Sequence, residues 1–298
     1  MSLLFLLMNL HLFFISNEKP DPCHAILPIV SLFDPMIAHC VSAFAQLRAE
    51  SRHSAELVSQ LIRGEYVRIL REEGPWVWVR TEHGYEGFTR MEQLSIHEGD
   101  LPDFLFLHRL KKTRFQGKNP NQQDLELEGT LSMITKPEYD GIDLTAYTDL
   151  SSPPPFSASL LSQQAMDLLT VPYVWGGKTA FGLDCSGLVQ FLFQKQGYSF
   201  PRDAWQQAET GLVIPVNETR LQFEEGDLLF FQHPGKRIHH VAISLGGCRY
   251  IHASEWVRVN SLNEQDPDFL KERRDTFINA KRIQPETLVP LLDSFRKL

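Results

Sequence analysis

The spacing of apolar residues changes period along the chain, and each change marks a region. Over 25–95 they fall in short runs at 26–32, 56–62, 66–70, 76–81 and 85–89, with turn signals at Gly64, Gly74-Pro75 and His83-Gly84 separating the last four. Five short strands in this length predict a small all-β barrel, and its aromatics Trp76, Trp78, Tyr85 and Phe88 suit a core better than an exposed platform. Over 96–150 the pattern weakens. Strand-like pieces at 104–107 and 131–135 flank a polar loop at 116–123, which fits a second, degenerate barrel of the same kind. Ser151-Ser-Pro-Pro-Pro155 begins a linker over 151–157, because consecutive prolines favour extended polyproline geometry.

Beyond the linker the period becomes helical. Leu160, Leu161, Ala165, Leu168 and Leu169 share a helical face, and Pro172 stops that helix. A second helix is predicted from 185 to about 196, carrying Leu188, Val189, Phe191 and Leu192 and closed by Gly197. Strands follow at 227–231, 239–245 and 249–253. Two helices and then an antiparallel sheet place 158–298 in the α+β class, after an apolar segment at 1–24 and the barrels.

Composition narrows the partners. The 298 residues are 43% hydrophobic and 22% charged with a formal charge of -8, so there is no basic footprint for nucleic acid, and substrates are expected to be small or peptidic. Cys23, Cys40, Cys185 and Cys248 show neither CxxC nor CxxH spacing, so neither a disulfide framework nor a zinc site is indicated, and no metal or cofactor is implied. A free thiol suits a reducing compartment. The run at 3–15 is apolar apart from Asn9 and His11, but no Lys or Arg precedes it and it is too short to span a bilayer, which takes about 20 residues. It reads as an atypical signal sequence, an apolar tail packed on the body, or the product of a start codon placed too far upstream.

Candidate chemistry concentrates where the two helices meet. Gly176, Gly177 and Gly182 form a turn that delivers Cys185 to the start of the second helix, with Asp184 as its N-cap. There the unpaired N–H groups and the macrodipole favour the thiolate, which is scarce at the free thiol's ordinary pKa of about 8.5. Asp184 opposes this, so a base is needed. A cysteine taken at random is usually a small buried hydrophobe. This position marks Cys185 as a nucleophile instead.

The base candidates are His233, His239, His240 and His252. If 246–248 make a three-residue hairpin loop, Leu245 pairs with Arg249 and Ala242 with His252, and His240 becomes the diagonal same-face neighbour of His252 at about 7–8 Å between backbones. A two-residue loop would put the two imidazoles on opposite faces. In the three-residue register His239 faces the other way with Val241 and Ile243, and nothing argues for His233.

These residues also carry a resemblance. Pro172-Tyr-Val-Trp-Gly-Gly177, Asp184-Cys-Ser-Gly187, Gly226-Asp-Leu-Leu-Phe-Phe231, His240-Val-Ala-Ile243 and Tyr250-Ile-His-Ala-Ser254 are similar to the NlpC/p60 family of bacterial cell-wall cysteine peptidases, over about 158–285. Gln60-Leu-Ile-Arg-Gly-Glu65, Val67-Arg-Ile-Leu70, Trp76-Val-Trp-Val-Arg80 and Gly84-Tyr-Glu-Gly-Phe88 resemble the bacterial SH3-like domains of such enzymes. The resemblance implies a papain-like fold with Cys185 as nucleophile, His240 as general base and His252 orienting it. It also places the Tyr173 hydroxyl, with the Cys185 N–H, at the oxyanion. Ala242 and Ser244 depart from the common glycine and tyrosine without touching these groups.

With SH3-like modules in front and Phe200-Pro-Arg-Asp-Ala-Trp-Gln-Gln207 behind the nucleophile, the chain resembles the γ-D-glutamyl-L-diamino acid endopeptidases. These cleave after D-glutamate in peptidoglycan stem peptides that have a free N-terminal L-alanine. The likeness implies that Arg202 and Ser186 receive the D-glutamate α-carboxylate. Asp203, with Glu65 and Tyr85 from the barrel, would receive the ammonium, while Trp175 and Asp184 join the substrate side. Ala204 stands where many relatives carry a hydroxyl. The implied reaction runs through a thioacyl enzyme on a monomer, with no stable membrane insertion. The competing readings are a non-catalytic peptidoglycan-binding protein and an acyltransferase on the same fold, against which stand the intact Cys185, His240, His252 set and the charged Arg202 and Asp203. Dependence on a free amine suits cytoplasmic recycling of small peptides, whereas the apolar start suggests export.

Overall fold

Val77 and Val79 are fully buried on one face of a strand whose other face carries Trp78, and this alternation, repeated, builds an all-β unit around small and aliphatic side chains. The structure, a computed structural model, describes residues 36–97, 152–216 and 221–298, together with the backbone of five short strands between 106 and 149. The barrel strands are β1 (Met36–Cys40), β2 (Phe44–Arg48), β3 (Leu57–Ile62), β4 (Tyr66–Glu73), β5 (Trp76–Thr81), β6 (Glu86–Arg90) and β7 (Leu94–His97), in the order β3-β2-β6-β5-β4-β1-β7. Ala45, Leu47, Leu61, Val67, Val77 and Val79 fill the interior. Of the expected strands, the last four appear. The one expected over 26–32, like the apolar run at 3–15 and Cys23, lies outside the described residues. β1, β2 and β7 were not predicted.

Between 106 and 149 run β8 (Phe106–Leu110), β9 (Thr113–Phe115), β10 (Leu125–Leu127), β11 (Leu131–Ile134) and β12 (Tyr147–Asp149). β8 pairs antiparallel with β11 and β12, and β9 with β10. The rest of the expected second barrel, including its polar loop at 116–123, lies outside the described residues.

The following region holds α1 (Ala158–Met166), β13 (Lys178–Thr179), β14 (Gly182–Leu183), α2 (Cys185–Lys195), β15 (Tyr198–Ser199), α3 (Ala204–Gln207) and β16 (Leu212–Ile214). After these come β17 (Phe223–Phe231), β18 (His240–Gly247), β19 (Arg249–Ser254), β20 (Trp256–Ser261), α4 (Lys271–Thr276), β21 (Phe277–Arg282), β22 (Val289–Pro290) and α5 (Leu291–Phe295). Six strands form one antiparallel sheet, β16-β21-β17-β18-β19-β20. Alternation sorts its residues. Leu228, Phe230, Val241, Ile243 and Ile251 pack with Leu188, Val189 and Leu192 of α2, while Leu229, Phe231, Ala242 and Tyr250 form a core on the opposite face. Truncating one such fully buried leucine of α2 to alanine costs about 2–5 kcal/mol. The helix is thereby pinned to the sheet, and with it Cys185 at its first position. Among the described residues no helix is long and apolar enough to cross a membrane.

The barrel packs directly against this region. Gln60 Oε1 accepts the Lys178 N–H at 2.9 Å, and Ser59 Oγ accepts Arg202 Nε at 3.1 Å. Gly176 has φ +73°, and a Cβ there would lie 2.4 Å from the Leu57 carbonyl oxygen, so the approach of the two backbones requires glycine. At the other end Leu291, Leu292 and Phe295 of α5 pack on Ile37 and Tyr66.

Candidate active site

Asp184 closes the N-terminus of α2 through a 2.6 Å bond from the Gly187 N–H to its Oδ1, and the Gly176 N–H bonds Oδ2 at 2.9 Å. The turn and the helix start are thus tied to one carboxylate, which fixes where Cys185 emerges. The thiol lies against the first residues of β18. Its Sγ is 3.9 Å from the His239 carbonyl oxygen and also meets the Val241 amide, so it touches the backbone on both sides of His240.

Burial, reinforced by the Asp184 charge, pushes the Cys185 thiol up to about 12. Desolvation and the Asp184 charge thus hold the thiol protonated, in line with the expectation that Asp184 opposes the thiolate and that a base is needed.

The ring of His240 is oriented by a chain of bonds running away from the thiol. His240 Nε2 lies 2.7 Å from His252 Nδ1, His252 Nε2 lies 3.0 Å from Asn260 Oδ1, and Asn260 Nδ2 donates to the Asp268 carbonyl at 2.9 Å. A carbonyl only accepts, so the Asn260 amide nitrogen must face it and Oδ1 must receive the His252 Nε2 proton. His252 Nδ1 is then an acceptor, His240 Nε2 carries its proton, and the lone pair of His240 stands on Nδ1. Burial keeps both rings neutral, with His240 well below its ordinary value and His252 taken down to about 3. The strand register that aligns them pairs Ile243 with Ile251 and Ser244 with Tyr250, as a three-residue loop requires.

Cys185 opens on a cavity of about 260 Å³ between the barrel and this region. Tyr173, Trp175, Asp184, Ser186, Arg202, Asp203 and Tyr85 line it, whereas His240 and His252 are buried behind. Burial, with the Asp184 charge close by, holds the Tyr173 hydroxyl protonated, so it can donate. Trp175 is 62% exposed, and its Nε1 donates to Glu56 Oε1 at 2.8 Å. Burial and then Asp203 push the Tyr85 hydroxyl up to about 12, and it donates to the Val58 carbonyl at 3.4 Å. A larger hollow of about 790 Å³ lies beside α3 and the C-terminal segment, without the thiol or either buried histidine.

Two expected binding residues are placed differently. Glu65 does not line the cavity. It is buried in an ion pair with Lys178, at 2.8 and 3.0 Å from Nζ, while Glu56, six residues before the end of β3, takes the wall position. Arg202 lines the cavity but is not a free cation: 1% exposed, it donates to both Asp184 oxygens at 3.0 and 2.5 Å, to Ser186 Oγ at 3.0 Å and to Ser59 Oγ. Asp203 accepts Trp205 Nε1 at 3.1 Å, and among the described residues neither Asp203 nor Glu56 forms an ion pair. Glu56, Asn260 and Arg237 are the cavity and relay residues that the sequence reading missed. Asn260 sits in the unpredicted β20, and no local signal separates Glu56 from Glu65. Among the described residues no cluster of three or more His, Cys, Asp or Glu could hold a metal ion.

Comparison with known proteins agrees with this architecture. Residues 170–272 match the model of the NlpC/P60 family, and residues 47–94 match the bacterial dipeptidyl-peptidase Sh3 domain. The chain is 31% identical over 220 residues to a gamma-D-glutamyl-L-lysine dipeptidyl-peptidase of Bacillus subtilis, spanning 65% of this chain and 71% of that protein. A Bacillus cereus protein of the same name is 28% identical over 266 residues, 77% of this chain and 76% of the relative. The crystal structure of an NlpC/P60 family protein from Bacillus cereus superposes with a TM-score of 0.61 at 21% identity, covering 83% of this chain and 99% of that one, which shows the shared fold. The chain belongs to the NlpC/P60 family and is a cysteine peptidase with an N-terminal SH3-like barrel.

Proposed function

We propose that the protein hydrolyses the γ-D-glutamyl-diamino acid bond of peptidoglycan stem peptides that carry a free N-terminal L-alanine. The observation that carries this reading is the pair of carboxylates, Glu56 and Asp203, in the cavity that Cys185 also lines. Each accepts an indole N–H, and neither forms a salt bridge among the described residues, which suits a substrate ammonium. The names of the Bacillus relatives point to the same bond.

Attack of Sγ on the γ-carbonyl passes the thiol proton to His240 Nδ1, and the imidazolium formed is stabilised through His252 and Asn260. The Cys185 N–H and the Tyr173 hydroxyl are the donors for the oxyanion. His240 then gives its proton to the departing amine, leaving a thioacyl enzyme. Water, deprotonated by His240, releases the dipeptide and restores the thiol. Incubation with L-Ala-γ-D-Glu-L-Lys should yield L-Ala-γ-D-Glu and free lysine by mass spectrometry, and the folded Cys185→Ala variant should yield neither. Turnover by that variant would refute the mechanism.

A further inference from the structure

We propose that Arg237 is the cavity's receptor for a substrate carboxylate, an assignment that rests on the peptidase reading above. Among the described residues two arginines line the cavity. Arg202 is committed to Asp184, a buried pair whose charges cancel, so it offers an incoming carboxylate little net attraction. Arg237 has no carboxylate partner among the described residues. Its guanidinium carbon sits 3.9 Å from the centre of the Trp205 indole. Stacking of this kind occupies the face of the guanidinium and leaves its in-plane N–H fork free, the arrangement that receives a carboxylate through two parallel bonds.

The placement is built from both ends. The loop that carries Arg237 is closed by the His239 N–H bonding the Phe231 carbonyl at 3.1 Å and the Gln232 N–H bonding the Thr276 carbonyl at 2.7 Å. On the other side Trp205 is held by its bond to Asp203. One indole therefore spaces an anion for the substrate ammonium from a cation for a substrate carboxylate. A γ-linked D-glutamate presents such a carboxylate one residue from the free amine. A leaving diaminopimelate would present another.

The test measures kcat/KM for wild type, Arg237→Gln and Arg237→Lys on three peptides: L-Ala-γ-D-Glu-L-Lys, its D-glutamate α-amide, and L-Ala-γ-D-Glu-meso-diaminopimelate. If the D-glutamate carboxylate is read, amidation lowers the wild-type value about ten- to a hundredfold, and Arg237→Gln abolishes that difference while Arg237→Lys restores part of it. If the leaving carboxylate is read, the variant abolishes a preference for diaminopimelate over lysine instead. Either result supports the assignment. Unchanged preferences in Arg237→Gln, or an equal fall on all three peptides, would overturn it. Wild-type enzyme that cleaves none of the three would refute the functional reading itself. Calorimetric binding of L-Ala-γ-D-Glu and its α-amide to Cys185→Ala and to Cys185→Ala/Arg237→Gln then tests Arg237 without turnover, and equal affinities across the set would overturn the assignment.

Discussion

Lys178 Nζ bridges both carboxylate oxygens of Glu65, at 2.8 and 3.0 Å, with the two side chains 0% and 3% exposed. One charge comes from β13, beside the glycine turn that precedes Cys185, and the other from the barrel. Removing one partner leaves the other buried and unpaired. Glu65→Gln or Lys178→Met is expected to lower stability by about 3–5 kcal/mol. Replacing both together should lower it by less than the sum of the two single changes, which urea melts of the four proteins would check.

Glu56 makes a contrasting prediction, because it faces the cavity. Glu56→Gln keeps an acceptor for the Trp175 N–H but removes the charge, so KM for a free-amine tripeptide should rise about tenfold or more with the melting temperature nearly unchanged. Steady-state kinetics beside a thermal melt separates this from the behaviour of Glu65→Gln.

Asn260 fixes the tautomer of the histidine pair without touching the substrate. Asn260→Leu should lower kcat by about ten- to a hundredfold while KM stays close to wild type, since the ring of His240 can then hold its proton on either nitrogen. Asn260→Gln, which keeps the amide, should recover part of the loss.

Stability should fall on acidification. In the unfolded chain His240 and His252 take up protons near pH 6.5, whereas in the fold burial keeps His252 neutral down to about pH 3 and His240 well below its ordinary value. The unfolded state therefore binds more protons in this window, and stability present above pH 6.5 is lost as pH falls towards 3. At pH 5 the His252 ring contributes a loss of about 2 kcal/mol. Melting temperatures from pH 7.5 to 4.5 would show the slope, and His252→Asn should flatten it.

The glycine turn, the helix start at Cys185 and the hairpin that pairs the two histidines were legible because their signals are local. A glycine turn, an N-cap and a short hairpin loop fix Cys185, His240 and His252 within a few residues of each mark. What was not legible depends on docking. Asp184 and Arg202 lie 18 residues apart and meet only when α3 folds beside α2, which removes the cation that a one-dimensional reading offers to the substrate. Glu56 and Glu65 flank the same strand, and only the way the barrel is seated decides which one faces the cavity. β1 and β2 carry polar residues such as His39 and Gln46 among small ones, so their alternation was weak. The raised thiol has the same origin: the helix terminus is visible in sequence, but the depth of burial is not.

The most direct test of the account is the ratio of kcat/KM for L-Ala-γ-D-Glu-L-Lys to that for the same tripeptide acetylated on the alanine nitrogen. Glu56 and Asp203 line the same cavity as Cys185, so removal of the ammonium charge should lower the value by at least about thirtyfold. Equal values for the two peptides would contradict it.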